Sequence, residues 1–150
     1  GRFDTSKAKA LGVPEGPMFR RLQEGKAVHV KGITVRPEQV LGPTRRGRKF
    51  VYTGDTRPSD VLVDFARDAD VLVHDCTVDS RHAALAAEFG HSTASGAASV
   101  AKRAGARRLF LVHFSPRYDD VSGLVEEARK VFPDSEAAEE FSDHQVRLRD

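Results

Sequence analysis

Three short apolar runs in this 150-residue chain each end in residues able to hold a proton or a divalent ion. Lys49-Phe50-Val51-Tyr52-Thr53 runs into Gly54-Asp55, Asp70-Val71-Leu72-Val73 into His74-Asp75, and Arg108-Leu109-Phe110-Leu111-Val112 into His113. Aspartate and histidine suit zinc or a similar ion, and the two oxygens of an aspartate can bridge a pair of ions. Gly54 leaves room for a close approach of ion or substrate to the backbone. If the runs are parallel strands, their carboxyl ends open on one crevice, where α/β sheets collect ligands. Each residue also has a plain structural reading. Asp55 starts the turn Asp55-Thr56-Arg57-Pro58, His74 is a core histidine on a buried strand, and His113 caps a strand end. The spacing is not a compact metal motif such as His-Glu-x-x-His, so the residues alone leave both readings open.

The intervening segments read as helices that would hold these strand ends in place. Val61, Leu62, Phe65, Ala66 and Ala69 have helical spacing after a Ser59 or Asp60 cap. A helix is expected around 80–89, ended by Gly90, and another over 94–104 opened by Ser92 or Thr93 and closed by Gly105. Val121 to Phe132 forms an amphipathic helix stopped by Pro133. The order of elements predicts α/β layers with short strands buried on both faces, and closing strands are expected within 136–140 and 144–149. Residues 1–25 read as loop plus a short helix over 7–11, capped by Asp4 or Thr5, with a second turn at Gly16-Pro17. Residues 27–30 and 33–35 read as strands joined at Lys31-Gly32, followed by a basic loop over 42–48.

Composition narrows the class. Hydrophobic residues are 39% and charged residues 31% of the chain, so neither a membrane span nor a disordered tail fits. One cysteine, Cys76, excludes an internal disulfide framework and suits a reducing cytoplasm. The net charge of +2 conceals an asymmetry: residues 1–50 hold 12 Lys+Arg against 4 Asp+Glu, and residues 51–150 hold 12 against 18. A basic segment beside an acidic body fits a polyanion-binding face joined to a metal- or acid-bearing core, and equally a merely solvated basic loop.

Several segments, in order, resemble the C-terminal half of the ribonuclease Z family, tRNA 3′-processing endonucleases of the metallo-β-lactamase superfamily. They are Gly1-Arg2-Phe3-Asp4, Leu11 to Pro17, Gly54-Asp55-Thr56-Arg57, His74-Asp75-Cys76-Thr77, Gly90-His91-Ser92-Thr93 and His113-Phe114-Ser115-Pro116-Arg117-Tyr118. The Gly-Asp-Thr piece is shared across the superfamily, whereas the last two segments together are more specific. The resemblance implies half of a four-layer αβ/βα sandwich with a dinuclear zinc site at the sheet edges. It makes Asp55 the aspartate bridging both zincs and His113 the last histidine ligand. His91 and Asp75 become a pair assisting proton transfer to the leaving group. The family has glutamate where this chain has Asp75, so the carboxylate here is one methylene shorter in its reach for His91.

The same resemblance divides the chain into a tRNA-docking arm over 1–48 and half of the catalytic domain over 49–150. Gly16 and Pro17 fall at the Gly-Pro motif of the docking arm, with Arg20, Arg21 and Lys26 meeting backbone phosphates. Arg117 offers a fork to a phosphate, and Tyr118 a ring or hydroxyl to the RNA 3′ end. The family's His-x-His-x-Asp-His motif has no counterpart here. The chain therefore reads as part of a longer enzyme, expected alone to bind zinc weakly and cleave nothing. The partners implied are precursor tRNA, the N-terminal half of the same enzyme and a second copy in a cytoplasmic homodimer. The alternatives are a non-catalytic RNA-binding remnant and a hydrolase of small esters on the same fold.

Overall fold

The computed structural model describes residues 1–44 and 46–147. The chain divides into two compact units, residues 1–47 and 48–150.

The first unit has two helices, a hairpin and a core of its own. Its helix α1 (Thr5–Ala10) starts where Asp4 accepts a hydrogen bond from the Lys7 backbone N–H at 2.9 Å, satisfying a donor that the helix start leaves orphaned. Helix α2 (Pro17–Gln23) stands where the sequence reading placed only a turn. Pro17 occupies the first helical position, where its missing N–H costs nothing. Strands β1 (Val28–Val30) and β2 (Ile33–Val35) form an antiparallel hairpin with Val30 opposite Ile33. Ala8, Val13, Leu22, Val28, Val35 and Val40 are buried together, with Phe3 and Phe19 packed against them. The unit thus buries a small aliphatic cluster of its own.

The second unit carries a four-stranded sheet in the order β3-β4-β5-β6, parallel throughout. The strands are β3 (Phe50–Tyr52), β4 (Val71–Asp75), β5 (Leu109–Val112) and β6 (Ser135–Ala137). Helix α3 (Asp60–Phe65) links β3 to β4, with Ser59 capping it by accepting from the Leu62 N–H. Between β4 and β5 come a 3₁₀ turn (Ser80–His82), helix α4 (Ala83–Phe89) and helix α5 (Ala94–Ala104). Thr93 caps α5, and Gly105 ends it in the left-handed conformation. Helix α6 (Ser122–Val131) links β5 to β6. Residues 144–147 form no strand, and Leu148 and Arg149 of the expected 144–149 strand lie outside the described residues.

One face of this sheet is dry. Val51, Leu72, Leu109 and Leu111 point into a core shared with α3, α5 and α6, built largely from the alanines of α5. Alternation along β4 puts His74 on that side with Leu72 and Cys76, and Asp75 on the other. The opposite face departs from the expected burial on both sides. Phe50 and Tyr52 of the edge strand are 65% and 61% exposed. Away from that edge the same face is covered: Val71 and Asp75 are buried, and so is Phe110, with the His144 ring edge-on at 4.3 Å. A strand-edge aromatic stays wet when no layer of the chain reaches it.

Candidate functional site

The carboxyl ends of β3, β4 and β5 meet, and the residues gathered there are those the strand ends suggested. Asp75 is the hub. Its side chain is fully buried, yet every donor it needs is present. Oδ2 accepts from the Thr56 backbone N–H at 2.9 Å and faces His91 Nδ1 at 2.8 Å, while Oδ1 accepts from the Thr77 hydroxyl at 2.7 Å. Three donors offset the cost of burying a carboxylate. The shorter side chain therefore does reach His91. The His91 segment is anchored on both sides. Gly90 ends α4 at φ 76°, returning the chain so that the His91 N–H reaches Ala86 O at 2.8 Å. The Ser92 hydroxyl donates to Thr56 O at 2.6 Å.

His113 follows β5 in the left-handed region, at φ 63°. Histidine visits this region more readily than most residues, but a non-glycine there marks a conformation held by its surroundings. Its Nδ1 lies 2.9 Å from Thr77 Oγ1. Because the Thr77 proton goes to Asp75, His113 Nδ1 must be the donor in this contact. Its Nε2 then carries a lone pair and faces Asp55 Oδ2 at 3.2 Å. Two acceptors so placed need a proton or a cation between them. Ligands about 2.0–2.2 Å from a tetrahedral ion stand roughly 3.4 Å apart, so the separation suits two ligands of one ion as well as a charged His–Asp pair. Asp55 follows Gly54, at φ 65°, and lies on the exposed side of the cluster.

Single ligand atoms of Asp75, His91 and His113 also lie within 4.8 Å of one another, which by distance alone makes them a possible metal group. The hydrogen bonds argue for a different division. Both oxygens of Asp75 and Nδ1 of His91 are already engaged, whereas Asp55 Oδ2 and His113 Nε2 face each other at 3.2 Å. The donor set fits a divalent ion on Asp55 and His113, with Asp75 holding both histidines, one directly and one through Thr77. Thr77 is the residue that sequence reasoning left without a task. Its only signal was its place two residues after Asp75, on the opposite side of Cys76.

His74 is a core histidine. Its Nδ1 donates to Asp75 O at 2.9 Å, its Nε2 has no partner, and burial pulls its pKa below the usual range. Burial also pushes the neighbouring Cys76 thiol up to about 12, which makes it inert. Arg117 donates from Nε to Ser115 Oγ at 3.2 Å and keeps its head exposed. Tyr118 is committed elsewhere: its hydroxyl accepts from the Asp79 N–H at 3.1 Å. The Arg81 fork grips Asp79 at 2.6 and 3.0 Å and holds that carboxyl far below its ordinary range. In the first unit Gly16 and Pro17 open α2, and Arg20 and Lys26 both pair with Glu24 at 3.1 Å, leaving Arg21 exposed beside them.

Residues 21–114 match the model of the beta-lactamase superfamily domain. The chain belongs to that superfamily. It is 46% identical to a ribonuclease Z of Methanosarcina acetivorans over 99% of this chain and 49% of that protein. It is 52% identical to a ribonuclease Z of Salinibacter ruber over all of this chain and 47% of the relative. The chain thus spans about half the length of the curated relatives it matches. Among solved structures, the short form of human tRNase Z superposes with a TM-score of 0.54 at 31% identity, over 77% of this chain and 37% of the human protein. The superfamily fold explains why strand ends carry the chemistry, and the paired aspartates and histidines point to a metal-bearing site. No helix among the described residues is long and apolar enough to cross a membrane.

Proposed function

We propose that this chain is the C-terminal part of a zinc-dependent endoribonuclease that removes 3′ trailers from precursor tRNA by hydrolysis, leaving a 3′-hydroxyl on the tRNA. The observation that carries the reading is the pairing at the strand ends: His91 held by a buried carboxylate beside a histidine and an aspartate that face each other at 3.2 Å. Similarity to ribonucleases Z supplies the substrate class. The exposed sheet face around Phe50 and Tyr52 supports a further layer in the longer protein, as expected of half a sandwich.

Bound zinc would supply an activated water and positive charge for the phosphoryl oxygens. Asp55 and His113 would hold it, with the remaining ligands in the histidine motif that the family carries outside the matched segment. Asp75 accepts a hydrogen bond from the Nδ1–H of His91 and turns Nε2 outward; in the doubly protonated ring the Nε2–H then passes to the departing 3′ oxygen, leaving His91 neutral with its Nδ1–H still on Asp75. Thr77 keeps His113 in the tautomer that offers Nε2 to the ion. In the first unit, Arg21 with Arg20 and Lys26 attracts RNA phosphates without reading sequence. Gly16 and Pro17 fix the start of the helix that presents them. Arg117 holds a phosphate near the site, while Tyr118 acts through its anchored ring. A cytoplasmic homodimer completes the proposal. The test is a 3′-end mapping assay with the longer protein and a precursor tRNA. A cut after the last retained nucleotide, abolished by chelation and restored by zinc, is expected. RNA binding without cleavage would favour a non-catalytic RNA-binding remnant.

A further inference from the structure

Beside His91 lies a small cleft of about 160 Å³. Val78, Leu85, Ala86 and Phe89 form its apolar walls, with His91 and Arg117 also on its lining. Phe89 is 66% exposed, a large aromatic residue at the last position of α4 immediately before the Gly90 turn. The turn that returns His91 to the site therefore also fixes where the Phe89 ring stands. The volume falls well below the ~300 Å³ of a pocket for a whole small-molecule ligand, and suits one flat ring system.

The geometry points to this cleft as a nucleobase subsite, taking the base of the nucleotide whose 3′ oxygen departs. The inference rests on the proposed phosphodiester hydrolysis and says which part of the RNA lies where. His91 must stand within hydrogen-bond reach of that 3′ oxygen to protonate it. The oxygen is carried by the ribose of the last retained nucleotide, so the base on the same ribose lies one sugar away from His91. An unstacked base leaves water most favourably against an aromatic or apolar wall, and Phe89 supplies such a ring on the cleft that His91 also lines. Arg117 lends positive charge to the adjacent phosphate. The contacts are apolar, so the subsite takes any base rather than selecting one.

The chain contains no tryptophan, so Phe89→Trp introduces a single emitter at the wall of the cleft. Titrating this variant of the 150-residue chain with adenosine 3′-monophosphate should quench its emission, and ribose 5-phosphate should not. Cleavage by the longer protein gives the second readout. A precursor lacking only the base of the last retained nucleotide should lose about 5- to 150-fold in kcat/KM, the range of one base–aromatic stack. Phe89→Ala should lose as much on the intact precursor and nothing more on the abasic one, while Phe89→Trp keeps the preference. Emission indifferent to the nucleotide, or equal losses for Phe89→Ala on both precursors, overturns the subsite even if the precursor is cut. Base-dependent quenching with no cleavage keeps the cleft and rejects the hydrolase.

Discussion

His91 with Asp75 and His113 with Asp55 are the same two residue types at 2.8 and 3.2 Å, yet their surroundings suit them to different work. Asp75 is buried and meets three donors, so its pair is complete without any further group. Asp55 is more than half exposed, and its contact with His113 Nε2 is satisfied only by a proton or a cation between the two. Burial and hydrogen-bond partners, not residue type, distinguish the two pairs, and the proposed division into a proton-holding and a metal-holding pair rests on that difference.

Breaking the hub should give the largest effect. Asp75→Ala leaves the Thr56 N–H, the Thr77 hydroxyl and His91 Nδ1 without their acceptor, and should destabilise the chain by at least about 2 kcal/mol in urea unfolding. In the longer enzyme it should lose more turnover than His91→Ala, for which a loss of 10²- to 10⁴-fold is expected with metal content intact. Asp55→Ala sharpens the contrast from the other side: bound metal should fall in elemental analysis while unfolding changes little. If Asp55→Ala kept its metal and His91→Ala lost it, the division of roles would be reversed. Thr77→Val tests the link between the pairs. Removing the hydroxyl frees the His113 tautomer, and metal affinity should drop about 10- to 100-fold while His91 keeps its contact with Asp75.

Much of this was legible from residues. Apolar runs ending in Asp55, Asp75 and His113 announced strand ends, and Thr93 and Gly105 marked the limits of α5 as found. Helix α2 was hidden because Gly16-Pro17 reads first as a turn, although proline is at home in an opening helical turn. The wet side of β3 was hidden for another reason. Phe50-Val51-Tyr52 is apolar at every position, so its pattern cannot show which side goes uncovered; that depends on chain beyond the sheet. Thr77 escaped notice because a hydroxyl acquires its role only from two neighbours that lie 36 and 2 residues away.

Smaller effects are expected away from the cluster. Arg21→Ala should weaken RNA binding and lower its salt slope by about 0.9, leaving hydrolysis of a small phosphodiester unchanged. Equal losses on both substrates would place Arg21 in the support of the fold instead. Cys76 gives the mildest test. Its folded pKa of about 12 lies above the roughly 8.5 of an unfolded thiol, so the unfolded chain loses its proton first as pH rises. Stability should be insensitive to this group below pH ~8.5 and decline above it by up to about 1.4 kcal/mol per pH unit. Cys76→Ala should remove that slope in unfolding curves taken between pH 8 and 10.

The left-handed backbone at His113 narrows which side chains can ever occupy this place. Asparagine, aspartate and histidine tolerate that conformation, and only the latter two offer strong metal ligands. A cysteine, which would draw the site toward softer ions, would have to distort the loop after β5 before it could bind anything. With His113 as the proposed ligand, metal preference at this strand end would be channelled by main-chain geometry: an exchange of histidine for aspartate is open to a single substitution, whereas a thiolate site must first rebuild the turn.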